Sequence, residues 1–302
     1  MGKALFLKEG RLRPTWRVIL YLCAYFLGQL LIQVPVGLVY GAYLFLAGLE
    51  FDESAAIAGR LPLPFLVATS LVAFLAALLV TWLFRRFLDG ASLLDLGLHR
   101  GKRWRREIVL GLALGFLLMA FIFALEWAGG WLEVLGLSSP SLLPLAGMLA
   151  GYGLSFAFVS WAEELAFRGY ILQNLRREWG NLGAALASSF IFALFHGLNP
   201  NFTPLALLGI ALAGILLSYG YLLTGSLWLP IALHFAWNFA QGPLFSFPVS
   251  GLPSGGLLAV RVKEAYPLLT GGPFGPEGGL VGLASLLLGL LLLRLWWRRK
   301  PG

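Results

Sequence analysis

The sequence predicts an all-α integral membrane protein, a single polytopic domain over residues 1–302 with about eight transmembrane helices. Hydrophobic residues fill 59% of the 302 positions and charged residues only 12%, about half the charge of an ordinary soluble domain. Apolar runs long enough to cross about 30 Å of hydrocarbon as helix recur along the whole chain. The cations lie in a few clusters between these runs.

The first run, 18–48, follows Lys3, Lys8, Arg11, Arg13 and Arg17. It is far longer than the 7 to 15 residue core of a signal peptide, so it is expected to stay as a first helix, bent at Pro35. Cys23, the only cysteine, falls inside it; an intrachain disulfide is impossible, and the residue is expected to be a small buried hydrophobe. Runs at 61–84, 108–128 and 142–162 give the next three spans, and those at 182–198, 203–223, 226–244 and 279–296 the last four. The polar stretch 85–107, with "HRGKRWRRE" and His99, is expected to be a loop with an interfacial element. The Gly- and Pro-rich stretch 245–278 is expected to have little regular structure.

Eight crossings place 19 Lys and Arg on one face, and only Arg60, Arg261 and Lys263 on the other. The positive-inside rule then puts both termini in the cytoplasm, within the cell membrane. The net charge of +8 therefore reflects topology and anionic headgroups. It points to the lipid bilayer as a partner and to no nucleic acid; "RLWWRRK" at the C-terminus is an interfacial anchor.

The stretch "WAEELAFRGYIL", residues 161–172, breaks this pattern by setting two glutamates and an arginine in an apolar helix. Glu164 and Arg168 are four apart, on one helical face and in the favourable order for an ion pair, which leaves Glu163 over. Such a cluster can also simply mark the end of a span. From Trp179 to Val260 no Asp, Glu, Lys or Arg occurs, yet His196 and His234 do. If the helix runs through the charged cluster and turns at "REWGN", a helical hairpin brings Glu163 and His196 to similar depth. "HFAWN" sets His234 and Asn238 on one face of the seventh span. A lone histidine on an apolar helix is more often a satisfied core residue, but this set on three neighbouring helices points to a shared site.

Such groups can hydrolyse an amide without a covalent nucleophile. Glu163 can take a proton from a water that His196 orients, while His234 and Asn238 donate to a developing oxyanion. Other intramembrane protease chemistries lack their parts. Asp52, Asp89 and Asp95 all fall in predicted loops, no His-Glu-x-x-His helix occurs, and Ser155 lacks the Gly-x-Ser-x-Gly elbow and is expected to pack between helices.

Glu-Glu-x-x-x-Arg at 163–168 with Gly169, Phe-x-x-x-His at 192–196 and His-x-x-x-Asn at 234–238 after "SLWLPIAL" together resemble the CAAX protease and bacteriocin-processing intramembrane peptidases, over roughly residues 142–243. The resemblance implies an eight-helix fold with the site in a cavity within the membrane. It implies that Glu163 and His196 activate water, that His234 and Asn238 form the oxyanion hole, and that Arg168 supports the paired Glu163 and Glu164. The substrate it implies is a membrane-associated protein or peptide, either CAAX-type or a bacterial processing target. A zinc ion held by Glu163, His196 and His234, with Asn238 or water completing the shell, is one form of this chemistry; a metal-free form is equally compatible with the sequence. A non-catalytic immunity or scaffold protein and a proton-coupled transporter are the competing functions. Against them stand the complete set of reactive groups and the lack of an internal repeat.

Overall fold

A computed structural model describes residues 6–8, 10–48, 62–139 and 141–298. The chain is built almost entirely of helix, as its composition requires. The long helices are α1 (Pro14–Leu46), α2 (Leu63–Phe84), α3 (Trp104–Ala128), α4 (Leu142–Glu164), α5 (Leu172–Phe195), α6 (Pro204–Thr224), α7 (Trp228–Phe239) and α8 (Leu280–Arg298). They coincide with the eight apolar runs. Six stretches among the described residues are long and apolar enough to cross a membrane; one of them, Leu142–Leu198, covers two of the expected spans. Its break is Gly180, whose φ of 68° and ψ of −178° interrupt the helix, a backbone conformation available to glycine and costly for other residues. α7 is too short to count alone, but a π turn continues it from Ala240 to Leu244. Large apolar side chains such as Leu31, Leu38, Phe45 and Leu182 point outward, which lipid favours and water would not.

Glycines set how closely the helices approach. A Cβ on Gly111 or Gly115 of α3 would lie 2.6 or 2.5 Å from the carbonyl oxygens of Leu229 and Leu233. This small-residue face seats α7 directly on α3. Gly214 of α6 approaches Ser189 of α5 in the same way, at 2.7 Å.

One end of the bundle gathers ion pairs. Asp89, in the π turn Arg85–Asp89 after α2, accepts from Arg17 at 2.8 Å and from Arg85 at 3.0 Å. Asp89 is therefore a buried bridge and not a simple loop residue. Glu178, beside the Gly180 break, accepts from Arg13 Nε at 2.8 Å and from the Thr15 amide at 3.0 Å, so the tip of the α4/α5 hairpin lies at the start of α1. His99 is exposed and meets Asp95 at 3.3 Å. Lys3, Asp52, Arg60, Arg299 and Lys300, used in the sequence reading, lie outside the described residues.

Two expectations are corrected. Cys23 is exposed on the outer face of α1 and not buried. The 245–278 stretch is more ordered than its composition implies. Within it strand β4 (Leu258–Val262) pairs antiparallel with β3 (Leu132–Leu137), the strand that follows α3, matching Leu132 with Val262 and Leu137 with Leu258 (the two-residue strands β1, Leu7–Lys8, and β2, Arg11–Leu12, precede α1). The loop is also tied inward, since Glu277 accepts from Gln241 Nε2 at 2.5 Å and from Ser250 Oγ at 3.2 Å, and Asn199 Nδ2 donates to the Ser250 carbonyl at 2.8 Å. Turn residues mark where a chain bends, but they do not reveal long-range ties of this kind.

Burial pushes the Glu277 carboxyl up to about 7. Between the ordinary glutamate value of about 4.3 and that point the native state keeps a proton which the unfolded chain has released, so stability falls as pH rises across this window. Glu277→Gln should flatten this part of the profile when thermal unfolding is followed from pH 4 to 8; an unchanged slope would show that another group carries it.

Candidate active site

The charged cluster lies where α4 gives way to a π turn, Leu165–Ile171, all seven residues of which are buried. Such turns often accompany functional sites because they re-aim side chains within a helix. Ser188 Oγ donates to the Phe167 carbonyl at 2.9 Å and so satisfies one acceptor that the irregular turn exposes. Gly169 leaves room for Leu96 and Leu227, at 3.4 and 3.5 Å from where its Cβ would be.

Glu164 and Arg168 form the expected ion pair, with Nη1 to Oε1 at 2.8 Å and both side chains fully buried. Arg168 is thus an internal residue and contributes nothing to a cationic surface. Its Nη2 donates to the Gly214 carbonyl at 3.1 Å, and its guanidinium lies 4.5 Å above the Phe192 ring. The close α5/α6 contact at Gly214 brings that carbonyl within reach.

The structure adds a link that spacing alone does not reveal. Glu164 Oε1 also meets His234 Nδ1 at 2.9 Å, so one oxygen serves both Arg168 and His234. A carboxylate only accepts, so Nδ1 carries the proton. The other ring nitrogen, Nε2, then faces Glu163 Oε2 at 3.7 Å. Glu163, at 23% side-chain exposure, is the more open of the two glutamates.

His196 ends α5, sixteen residues beyond Gly180, with Glu163 seventeen residues before it. The two therefore reach the same cavity from opposite arms of the hairpin. The Phe192 carbonyl accepts a hydrogen bond from His196 Nδ1 at 2.9 Å, which leaves Nε2 of the neutral ring as an acceptor. Phe192 is the hub of the site, its ring 4.6 Å from His196 and 6.2 Å from His234 as well as beneath Arg168. Asn238 stands one turn after His234 on α7 and is nearly buried.

Glu163, His196, His234 and Asn238 all line one cavity of about 740 Å³. Ser155, buried between helices as expected, also lines the cavity, and its hydroxyl has no hydrogen-bond partner among the described residues. Other lining residues, Tyr25, Gln29 and Ser70, come from α1 and α2, which hold none of the three motifs. The signal that could have found them is a tyrosine and a glutamine four apart in a helix otherwise rich in leucine.

Among the described residues no three His, Cys, Asp or Glu side chains come together so as to hold a metal ion. Glu163, His196 and His234 are not such a group as arranged, although each histidine has Nδ1 hydrogen-bonded within the protein and Nε2 left over, as a metal-binding histidine would.

Glu163, two imidazoles and an amide thus line a cavity between apolar helices, with Glu164 fully buried behind His234. Residues 145–240 match the family model described as Rce1-like, type II CAAX prenyl endopeptidase. That stretch contains all three motifs, so over this segment the chain carries the signature of the CAAX-type intramembrane endopeptidases, within a multi-pass membrane protein. No curated protein and no solved structure matches the chain significantly.

Proposed function

We propose that this protein is an intramembrane endopeptidase that hydrolyses a peptide bond of a membrane-associated protein or peptide, with Glu163 as the base that activates water. The observation that carries this reading is the shared oxygen of Glu164, which holds Arg168 and His234 together beside Glu163 at the cavity wall.

Water in the cavity gives one proton to Glu163 and hydrogen-bonds His196 Nε2 with the other as its oxygen attacks the carbonyl carbon. The tetrahedral oxyanion accepts from Asn238 Nδ2 and from His234 when Nε2 carries a proton. Glu164 keeps His234 oriented through Nδ1, as an orienting carboxylate does in other hydrolytic sites. The proton on Glu163 then passes to the leaving nitrogen, the C–N bond breaks, and an acid and an amine result. No step passes through a metal, so cleavage is expected to survive exhaustive chelation at full rate.

Asn238→Ala should lower turnover by about 10² to 10³ with little change in apparent affinity, because an oxyanion donor acts mainly in the transition state. Steady-state kinetics on purified protein check this; a change confined to KM would place Asn238 in substrate binding instead.

The cytoplasmic placement of both termini belongs to the same proposal. In a Cys23→Ala background, a cysteine at Lys102 should be labelled only after permeabilisation, and one at Glu264 in intact cells. The reverse pattern would invert the topology.

A further inference from the structure

The cavity wall beside Glu163 is completed from outside the matched segment. Tyr25 of α1 lines it, nearly buried, with ring edges against Phe167 at 6.4 Å and Phe195 at 6.1 Å. Those phenylalanines directly precede Arg168 and His196, so the ring wedges between the two arms of the catalytic hairpin. Gln29 stands one turn after Tyr25 on α1, and both side chains line the cavity together with Glu163. The Gln29 Nε2 donates to the Ala73 carbonyl of α2 at 3.1 Å.

The hydrogens of this pair can be counted. A phenol and a primary amide offer three between them. Ala73 takes one, and a bond between the two side chains would take at most one more. At least one donor hydrogen is left for an acceptor in the cavity that both side chains line. A peptide cut inside a membrane must first leave its helix, which strips its carbonyls of their partners where no water replaces them. A donor next to the water-activating carboxylate meets that need.

We propose that the Tyr25–Gln29 pair is the backbone-binding wall of this site, donating its remaining hydrogen to a carbonyl of a substrate segment held extended past Glu163. This inference rests on the peptidase reading, and it gives α1 a part in substrate recognition that none of the three motifs indicates. The competing view is that the pair merely staples α1 to α2 through Ala73.

Binding to the full-length Glu163→Gln variant separates these views without requiring cleavage. The probe is a fluorescent apolar peptide of about 20 residues, together with versions carrying a thioamide, a poor acceptor, at each successive position. In the Tyr25-containing protein one thioamide position should weaken binding about three- to tenfold, the worth of one neutral hydrogen bond. Adding Tyr25→Phe should weaken binding of the all-amide peptide by a similar factor and abolish the penalty at that one position; Gln29→Met should do the same. A staple alone would weaken all peptides alike and leave any thioamide penalty in place, which would overturn the proposal, as would the absence of saturable binding. Failure of the wild type to hydrolyse any peptide, with these binding effects intact, would sink the peptidase reading instead.

Discussion

Glu163→Gln is expected to fold normally and to cut peptides about 10² to 10⁴ times more slowly than the wild type, the usual cost of losing a general base. Glutamine keeps the shape of the side chain but cannot take a proton from water. Folding should survive because Glu163 is the partly open member of the pair and the buried Arg168 charge is met by Glu164. His196→Ala should produce a loss of similar size, since the proposed mechanism uses the Nε2 left over by the Nδ1–Phe192 bond to hold the same water. Two groups that act on one water are not independent, so the double variant should be scarcely slower than either single one. Single-turnover rates on purified protein test this. Multiplying losses would show that the two residues serve different steps. Near wild-type cleavage by both single variants would replace the peptidase with the scaffold reading.

Arg168→Ala is the change expected to cost most in stability. It leaves Glu164 fully buried beside nothing but His234, and removing one partner of a buried ion pair costs about 3 to 5 kcal/mol. It also strips the Gly214 carbonyl of its donor and the Phe192 ring of its cation. The variant should accumulate poorly and aggregate at lower temperature. Arg168→Ala combined with Glu164→Ala removes both charges and should recover part of the accumulation. It should not recover activity, because His234 then loses the oxygen that fixes its Nδ1. Recovery of both would show that the Glu164–His234 bond has no part in turnover; recovery of neither would show that the pair does not govern folding.

How much of this was legible in the sequence depends on the range of the interaction concerned. The eight helices follow from apolar length alone, because a lipid-exposed backbone has few ways to satisfy itself. The Glu164–Arg168 pair follows from i, i+4 spacing, and the placing of Glu163 and His196 on the wall of one cavity follows from equal distance to a turn that Gly180 makes. What escaped depends on contacts between distant segments. The bond from His234 to Glu164 spans 70 positions and is set by the seating of α7 on the Gly111 and Gly115 face of α3. The β3–β4 pairing joins two loops that each look irregular alone, one of them the Gly- and Pro-rich stretch. Cys23 is misjudged for a different reason, since in a membrane helix a hydrophobic position can face lipid as readily as the core.

The most direct measurement incubates purified full-length protein, in lipid and with chelator, with a pool of apolar membrane peptides and identifies new termini by mass spectrometry. The wild type is expected to hydrolyse peptide bonds at defined positions, and those products should be lost with Glu163→Gln at equal concentration. New termini of equal abundance with both proteins, or with neither, would contradict it.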